Sequence, residues 1–418
     1  MNSIVFNKNL NQISRIKAPK TWKIGIVSDL FSLGRGRVIS QEEVQKNIGI
    51  YPVYSSQTSN GGEMGKIDTY DFEGEWITWT TDGANAGTVF YRKGKFNCTN
   101  VCGTLKSNSP VDYQFFRYLL STLAKSYVSY IGNPKLMNDT MSEIAIAYPE
   151  YPIQQKIANI LSTIDGQIEK TEAIIAKYQA VKQGMLQDLF TRGIDVTTGE
   201  LRPKYEDAPE LYKDSPLGMI PKEWEVDFLD SQIVAIDAQP DHRTPASVEA
   251  GIPYLGINDV DEFGNIDYSK CRKVSEQILK EQSKRYTLRT DDIIFGKIGT
   301  IGQPKRLKAW DNVTISANVI LIQPKENAVF IYWLLVSDLV KTQINNTIHT
   351  TSQPAFGMEK IRGLKVVAPT NEERGKIAIM LDQQEKLISS EKTNLMKLNK
   401  IKQGLMSDLL SGIVAVTA

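Results

Sequence analysis

Histidine and cysteine are scarce in these 418 residues, and the scarcity excludes several chemistries at once. Only His242 and His349 are present, which leaves no H-E-x-x-H zinc pair and little scope for a histidine-based triad in each half. Cys98, Cys102 and Cys271 are an odd set without a C-x-x-C pair. Structural zinc and a disulfide framework are therefore not expected, and a reducing cytoplasm fits. No run approaches the ~18 apolar residues of a membrane span, and the opening MNSIVFNKNLNQISRIKAPK lacks the apolar core of a signal peptide. A soluble cytoplasmic protein is expected. Net charge is also lacking: 49 basic against 48 acidic residues leave +1, so only the distribution of charge can point to a nucleic-acid partner.

What is present is a globular composition, 41% hydrophobic and 23% charged, in a chain too long for one ordinary core. It repeats itself. Lys156–Phe190 aligns without a gap on Lys376–Leu410 at an offset of 220, and the triplet Lys182-Gln183-Gly184 recurs as Lys402-Gln403-Gly404. The same offset pairs Pro134 with Pro354 and Pro149 with Pro369, and PKTWK at Pro19 echoes PKEWE at Pro221. The chain is two copies of one plan, a variable block followed by a long helix.

In the first helix Ile157, Leu161, Ile164, Ile168, Ile175, Tyr178, Met185 and Leu189 recur at steps of three and four or their sums. Ile377, Leu381, Ile388, Leu395, Leu398, Leu405 and Leu409 do so in the second. A helix of this length, about 52 Å at 1.5 Å per residue, cannot stand alone with one apolar stripe. The other copy is its nearest partner, which predicts two long helices packed as an antiparallel coiled coil. Gly184 and Gly404 each cost about 1 kcal/mol relative to alanine in a helix interior. A close approach by the other helix or by another protein would explain them, and a helix break is the alternative.

Residues Gly193 to Pro221 mix glycine, proline and charge without periodicity and read as an extended linker. In the first block EWITWTT and AGTVFYRKGKF read as strands, and Asp112 to Tyr127 as a helix. In the second, DDIIFGKIGTIGQPKRLK and ANVILIQP read as strands, followed by the helix NAVFIYWLLVSDLVKTQI. The fold class is α+β, with two similar mixed α/β blocks separated by the two helices. The expected divisions are a first block over 1–150, a helical spacer over 151–194, the linker over 195–220, a second block over 221–368 and a second spacer over 369–418. Blocks carried at opposite ends of a helical bar suit a ligand read in two halves, such as duplex DNA about one turn apart (~34 Å).

The chain resembles the specificity subunits of type I restriction-modification enzymes over nearly its whole length. The resemblance rests on EYPIQQKIANIL, VKQGMLQDLFTRGI, YKDSPLGMIPKEWEV, DDIIFGKIGTIG and KIKQGLMSDLLSGIV, together with the duplication. The second helix opens NEERGKIA where the first has PIQQKIA. The resemblance implies that each block is a target-recognition domain reading one half of a split DNA sequence. It implies too that the paired helices set the spacing and dock two methyltransferase subunits, and that restriction/translocase subunits complete the enzyme.

Lys270 to Lys308 holds eleven basic against four acidic residues, a local +7, enough for several phosphate contacts. From it Arg272, Lys273, Lys305 and Arg306 are candidates; Arg35 with Arg37, and Arg92 with Lys93 and Lys95, form smaller clusters in the first block. Base edges are read by hydrogen-bonding side chains. Thr80, Thr81, Asp82 and Asn85 in TTDGANAG, and Lys297 and Thr300 in GKIGTIG, sit at corresponding glycine-rich turns. A second candidate pair precedes the shared prolines, Tyr130 and Asn133 in one block and Thr351, Ser352 and Gln353 in the other. A hairpin turn satisfying its own backbone is the alternative at each.

Enzyme motifs are missing. Asn133-Pro134-Lys135-Leu136 lacks the second proline and the aromatic that would hold a flipped base. The glycines at 296, 299 and 302 do not open a helix, and no G-x-x-x-x-G-K-[ST] occurs. No cofactor or metal is expected, and the reading is a non-catalytic DNA-recognition subunit. The rival classes are a coiled-coil scaffold without DNA readout and a single-chain methyltransferase or nuclease.

Overall fold

The structure, a computed structural model, describes residues 18–239, 243–308, 312–348 and 355–417. Thr351, Ser352, Gln353 and Pro354, with both histidines, lie outside the described residues. The chain forms two compact units, one of residues 1–172 with 394–418 and the other of 173–393. Each contains a block, part of the helix that follows it and part of the other long helix.

In the first unit six strands lie in the order β2-β7-β5-β6-β3-β4. They are β2 (Phe31–Arg35), β3 (Ile48–Tyr54), β4 (Glu63–Ile67), β5 (Phe72–Thr80), β6 (Val89–Cys98) and β7 (Cys102–Ser107). All pairings are antiparallel except β3 with β6. β1 (Lys23–Ile26) pairs with β8 (Ala145–Tyr148) where the chain enters and leaves the block. Helix α1 (Tyr113–Leu123) starts at Asp112, whose carboxylate accepts from the Phe115 amide at 2.8 Å, a cap of about 1 kcal/mol. Its Phe115, Phe116, Leu119 and Leu120 cover Phe31, Ile77, Trp79 and Leu105 of the sheet. Each such side chain, fully buried, contributes about 1.5–3 kcal/mol. The expected strands and helix are present, with a 3-10 turn replacing the α-helix over Ala124–Tyr127.

The second unit repeats the centre of that sheet. β10 (Ile233–Asp237), β13 (Ile293–Gly296), β14 (Lys305–Arg306) and β16 (Val319–Pro324) lie in the order β10-β16-β13-β14, matching β2-β7-β5-β6. A three-stranded sheet, β12-β11-β15, from β11 (Ile252–Leu255), β12 (Arg272–Val274) and β15 (Thr314–Ile315), lies in the same unit. β9 (Glu225–Phe228) pairs with β17 (Lys365–Ala368) as β1 pairs with β8. Even the bond that follows recurs: the Val27 amide donates to Ile144 O, and the Leu229 amide to Leu364 O. The single helix expected from Asn327 is broken into α3 (Ala328–Val336) and a second piece, Asp338–Ile348. The break is Ser337, extended and buried, whose hydroxyl donates back to Leu334 O.

The long helices are α2 (Tyr151–Thr191) and α4 (Asn371–Leu410). In each unit a part of one runs antiparallel to a part of the other. In the first unit Lys402 Nζ lies 2.6 Å from Asp165; in the second, Lys182 Nζ lies 2.7 Å from Glu385. The offset of 220 carries Lys182 onto Lys402 and Asp165 onto Glu385, so one interhelical ion pair is built twice with the helices exchanged. Ile157, Leu161 and Leu409 are buried in the first unit's core, and Leu189, Ile377 and Leu381 in the second's. Ile175 and Ile388 are buried too, whereas Ile164, Ile168, Met185, Leu395, Leu398 and Leu405 are half-buried. Leu186 and Phe190, outside the stripe read from sequence, are also in the second core. Both helices run unbroken through Gly184 and Gly404, and a Cβ on either would meet nothing within 4 Å. Neither a helix break nor close approach by the other helix is their explanation.

The linker is held rather than loose. Tyr212–Lys213 pairs with Ile220–Pro221, and Arg202, Ala208, Tyr212 and Ile220 are buried. Cys98, Cys102 and Cys271 are buried free thiols. Among the described residues no helix is long and apolar enough to cross a membrane, and no group of three or more His, Cys, Asp or Glu could hold a metal ion.

Candidate nucleic-acid interface

The two candidate loops of the first block, some fifty residues apart in sequence, converge. The Leu136 amide donates to Thr81 O and the Gly83 amide to Pro134 O, both at 3.0 Å, and Asp82 bridges Lys135. Asn133 Nδ2 donates to the Asp82 carboxylate. Trp79, buried beneath both, donates its indole N–H to Leu136 O at 2.9 Å. β5 thus positions one loop directly and the other through this indole. Replacing Trp79 with Phe keeps most of the packing but leaves Leu136 O without its donor. We expect a loss of about 1–2 kcal/mol, read as a lower urea midpoint, with faster exchange of the Leu136 amide.

The second block makes the same junction. The Phe356 amide donates to Lys297 O at 2.9 Å, Ile298 bridges Ala355, and the ring of Phe356 lies 6.0 Å from that of Phe295. Thr81 therefore corresponds to Lys297, and the strand register makes Arg35 the counterpart of Asp237. Arg35 Nη2 donates to Thr81 Oγ1 at 3.1 Å; Lys297 Nζ donates to Asp237 Oδ2 at 2.7 Å. One scaffold thus carries a different polar pair in each unit.

Not every candidate faces solvent. Thr80 and Thr81 are buried, Thr80 donating to Asn85 O and accepting from the Thr88 amide. Arg92 is buried: its guanidinium lies 3.5 Å from the Tyr54 ring centroid and donates to Thr78 Oγ1 and Gly61 O. Burial pulls its pKa down, partly offset by neighbouring Tyr54 and the Cys98 and Cys102 thiols. Arg37 is exposed but already paired, held by Glu43 at 2.7 Å and Asp71 at 3.1 Å, and the Glu43 bond leads in raising its pKa. Arg306 makes a bidentate contact with Asp382 of α4 at 3.0–3.2 Å and lies 3.6 Å from Asp291. Lys297 is buried in its ion pair. Arg92, Arg306 and Lys297 anchor the scaffold, and Arg37 is paired at the surface.

On the surface are Arg35, Lys93, Tyr130, Asn133, Asn85 and Arg272, with Asp82, Lys273, Thr300 and Lys305 half-buried. Lys93 lies 3.4 Å from Glu75, and Arg272 donates to Pro245 O. The glycine at 296 serves the hairpin itself, since a Cβ there would stand 1.7 Å from Thr300 O. Ile131, 94% exposed beside Tyr130, joins the surface residues without a signal in the sequence. Polar-residue patterns do not reveal an isoleucine at a loop tip.

This duplicated pair of loops, each on its own α/β block, defines a two-module recognition protein. The chain matches the type I restriction modification DNA specificity domain over residues 19–178 and again over 221–401, and it belongs to that family. Its role is therefore DNA sequence recognition. It is 50% identical over 146 residues to a Mycoplasma pneumoniae protein named for the N-terminus of a type I specificity subunit, covering 34% of this chain and 76% of that one. It is 24% identical over 433 residues to a type I restriction enzyme specificity subunit of Methanocaldococcus jannaschii, covering 98% and 96%. Several further M. pneumoniae relatives are spanned over roughly half their length. The crystal structure of a type I system S subunit from M. genitalium has the same fold, with a TM-score of 0.63 at 17% identity over 95% of this chain and 97% of that one.

Proposed function

We propose that the chain reads an asymmetric, bipartite DNA site, one half through each block, and contributes no catalytic residue. The observation that carries this is the shared loop junction with unlike polar groups, Arg35 and Thr81 in one block and Asp237 and Lys297 in the other. A duplicated frame with different side chains suits two different half-sequences. In the first half Arg35, Asn85, Tyr130 and Asn133 face the DNA, with Lys93 on phosphate. In the second, Arg272, Lys273, Thr300 and Lys305 do so, joined by Thr351, Ser352 and Gln353. The recognition domains are 1–150 and 221–368, each followed by its helical spacer.

The two helical spacers dock two methyltransferase subunits. Exposed Gly184 and Gly404, with open space above each, allow a partner's backbone to come close. Restriction/translocase subunits join that assembly in the cytoplasm. The test is to express the chain with its methyltransferase partner in a methylation-free host and map modified adenines across the genome. A split motif with a fixed gap is expected, and an uninterrupted palindrome overturns the reading. Exchanging residues 1–150 for another such domain changes one half of the motif only; a change in both halves refutes the division into two readers.

A further inference from the structure

The tip of the second loop in the first block carries two large apolar side chains in water. Tyr130 is 71% exposed and Ile131 94%. Single exposed apolar residues are ordinary, but this pair sits on a stiffened support. Ser129 and Lys135 exchange both backbone hydrogen bonds at 2.9 Å, closing the loop at its base. The bonds from Leu136 and Gly83, with the Trp79 indole, fasten that base to the neighbouring loop and the sheet. Gly132, at φ +75°, makes the sharp turn just beyond Ile131.

The surroundings select the occupant. Exposed Lys135 and Arg35 flank the base. The one carboxylate in the segments Thr80–Gly87 and Val128–Leu136, that of Asp82, accepts from Asn133. An apolar tip on a rigid, cationic mount matches the way proteins deform duplex DNA. A stiff aliphatic side chain enters a base step, unstacks it at a cost of a few kcal/mol, and gains a bend that brings more surface into contact. A floppy loop would yield before the stack did.

We propose that Ile131 is such a wedge, inserted between adjacent base pairs of the half-site read by the first block, with Tyr130 packed beside it. This rests on the DNA reading above and adds an indirect component to specificity, because flexible pyrimidine–purine steps open most easily.

The experiment uses the chain in complex with its methyltransferase subunits and duplexes of the mapped site, with 2-aminopurine placed at each position in turn outside the methylated adenine. Wild type should raise the fluorescence several-fold at one step. Ile131→Ala should abolish that rise and weaken binding of the mapped site about tenfold, with unchanged melting temperature and subunit association. Ile131→Met, apolar and of similar volume, should retain the rise. If both proteins bind the site and no position distinguishes them, the wedge is refuted and DNA reading stands. If Ile131→Ala instead sheds the methyltransferase subunit, the tip is a protein contact and the proposal fails. If wild type binds no DNA, the reading it rests on fails as well.

Discussion

Replacing Glu373 with alanine should destabilise the second unit by about 3–5 kcal/mol, the range for removing one partner of a buried ion pair. The Glu373 carboxylate is wholly buried and accepts four bonds. They come from Arg202 Nη1 at 2.5 Å and Nη2 at 3.1 Å, from the Trp224 indole at 2.9 Å and from the Ile194 amide at 2.7 Å. Four donors fill the capacity of a carboxylate, so truncation strips the acceptor from all four at once. Truncation leaves a buried guanidinium held only by the Arg192 carbonyl and the more exposed Glu223. Replacing both Glu373 and Arg202 by leucine should recover part of the loss but not all, since the Trp224 and Ile194 N–H groups still lack acceptors, at about 1–3 kcal/mol each. The urea midpoint and exchange of the Ile194 amide measure both effects. An alanine-sized loss of a few tenths of a kcal/mol would show the network to be dispensable. Gly193→Ala should act on the same cluster: φ is +62° there, and a Cβ would stand 2.2 Å from Glu373 Oε1 and 2.3 Å from Trp224 Cζ2.

That cluster shows where sequence reasoning stops. The repeat made the long helices, the strand pairs and the correspondence of the two blocks legible, because periodicity and offset are properties of the string. It also exposed the difference between PIQQKIA and NEERGKIA. Its reason is tertiary: Glu373 stands where the first unit has Ile153, and answers an arginine 171 positions away in the linker. The linker itself, read as extended, is pinned by Arg202 for the same reason. A carboxylate–guanidinium pair of such separation leaves no periodic trace.

The candidate reading surface divides along similar lines. Glycine-rich turns and paired prolines located the loops, and the structure brings those loops together. The basic-residue count was a poorer guide, since charge alone does not say whether a cation faces solvent. Arg306 belongs to the +7 stretch yet is held by Asp382, and Arg92 lies buried against Tyr54. Near-neutrality overall is thus partly a matter of cations and acids consumed in pairs inside the protein, and it does not oppose an anionic ligand.

Removing the Asp165 side chain should cost the first unit about 2–3 kcal/mol, less than a fully buried pair because water still reaches the site. Asp165 accepts from Tyr118 Oη at 2.6 Å and Arg117 Nη2 at 3.1 Å, and pairs with Lys402 Nζ at 2.6 Å. Burial alone would raise its pKa, but Lys402, Tyr118 and Arg117 together hold it below the ordinary aspartate value. A folded pKa below the unfolded one means that the stabilisation is fully present above the unfolded value of about 3.9 and lost as pH falls through the folded value. The gap in unfolding free energy between wild type and Asp165→Asn should therefore be constant from pH 7 to 5 and narrow below pH 4; a gap independent of pH would exclude the ionised carboxylate as its source. Exchanging the charges, Asp165→Lys with Lys402→Asp, should recover little, because Arg117 then faces a like charge. Lys182→Glu with Glu385→Lys, at the corresponding pair of the second unit, should recover more: Asp165 answers two cations and a phenol, whereas the bond shown for Glu385 is to Lys182 alone. The duplication thus copied the interhelical contact into both units, while in the first unit the block packed against it adds Arg117 and Tyr118 to the carboxylate and should make that copy the less tolerant of exchange.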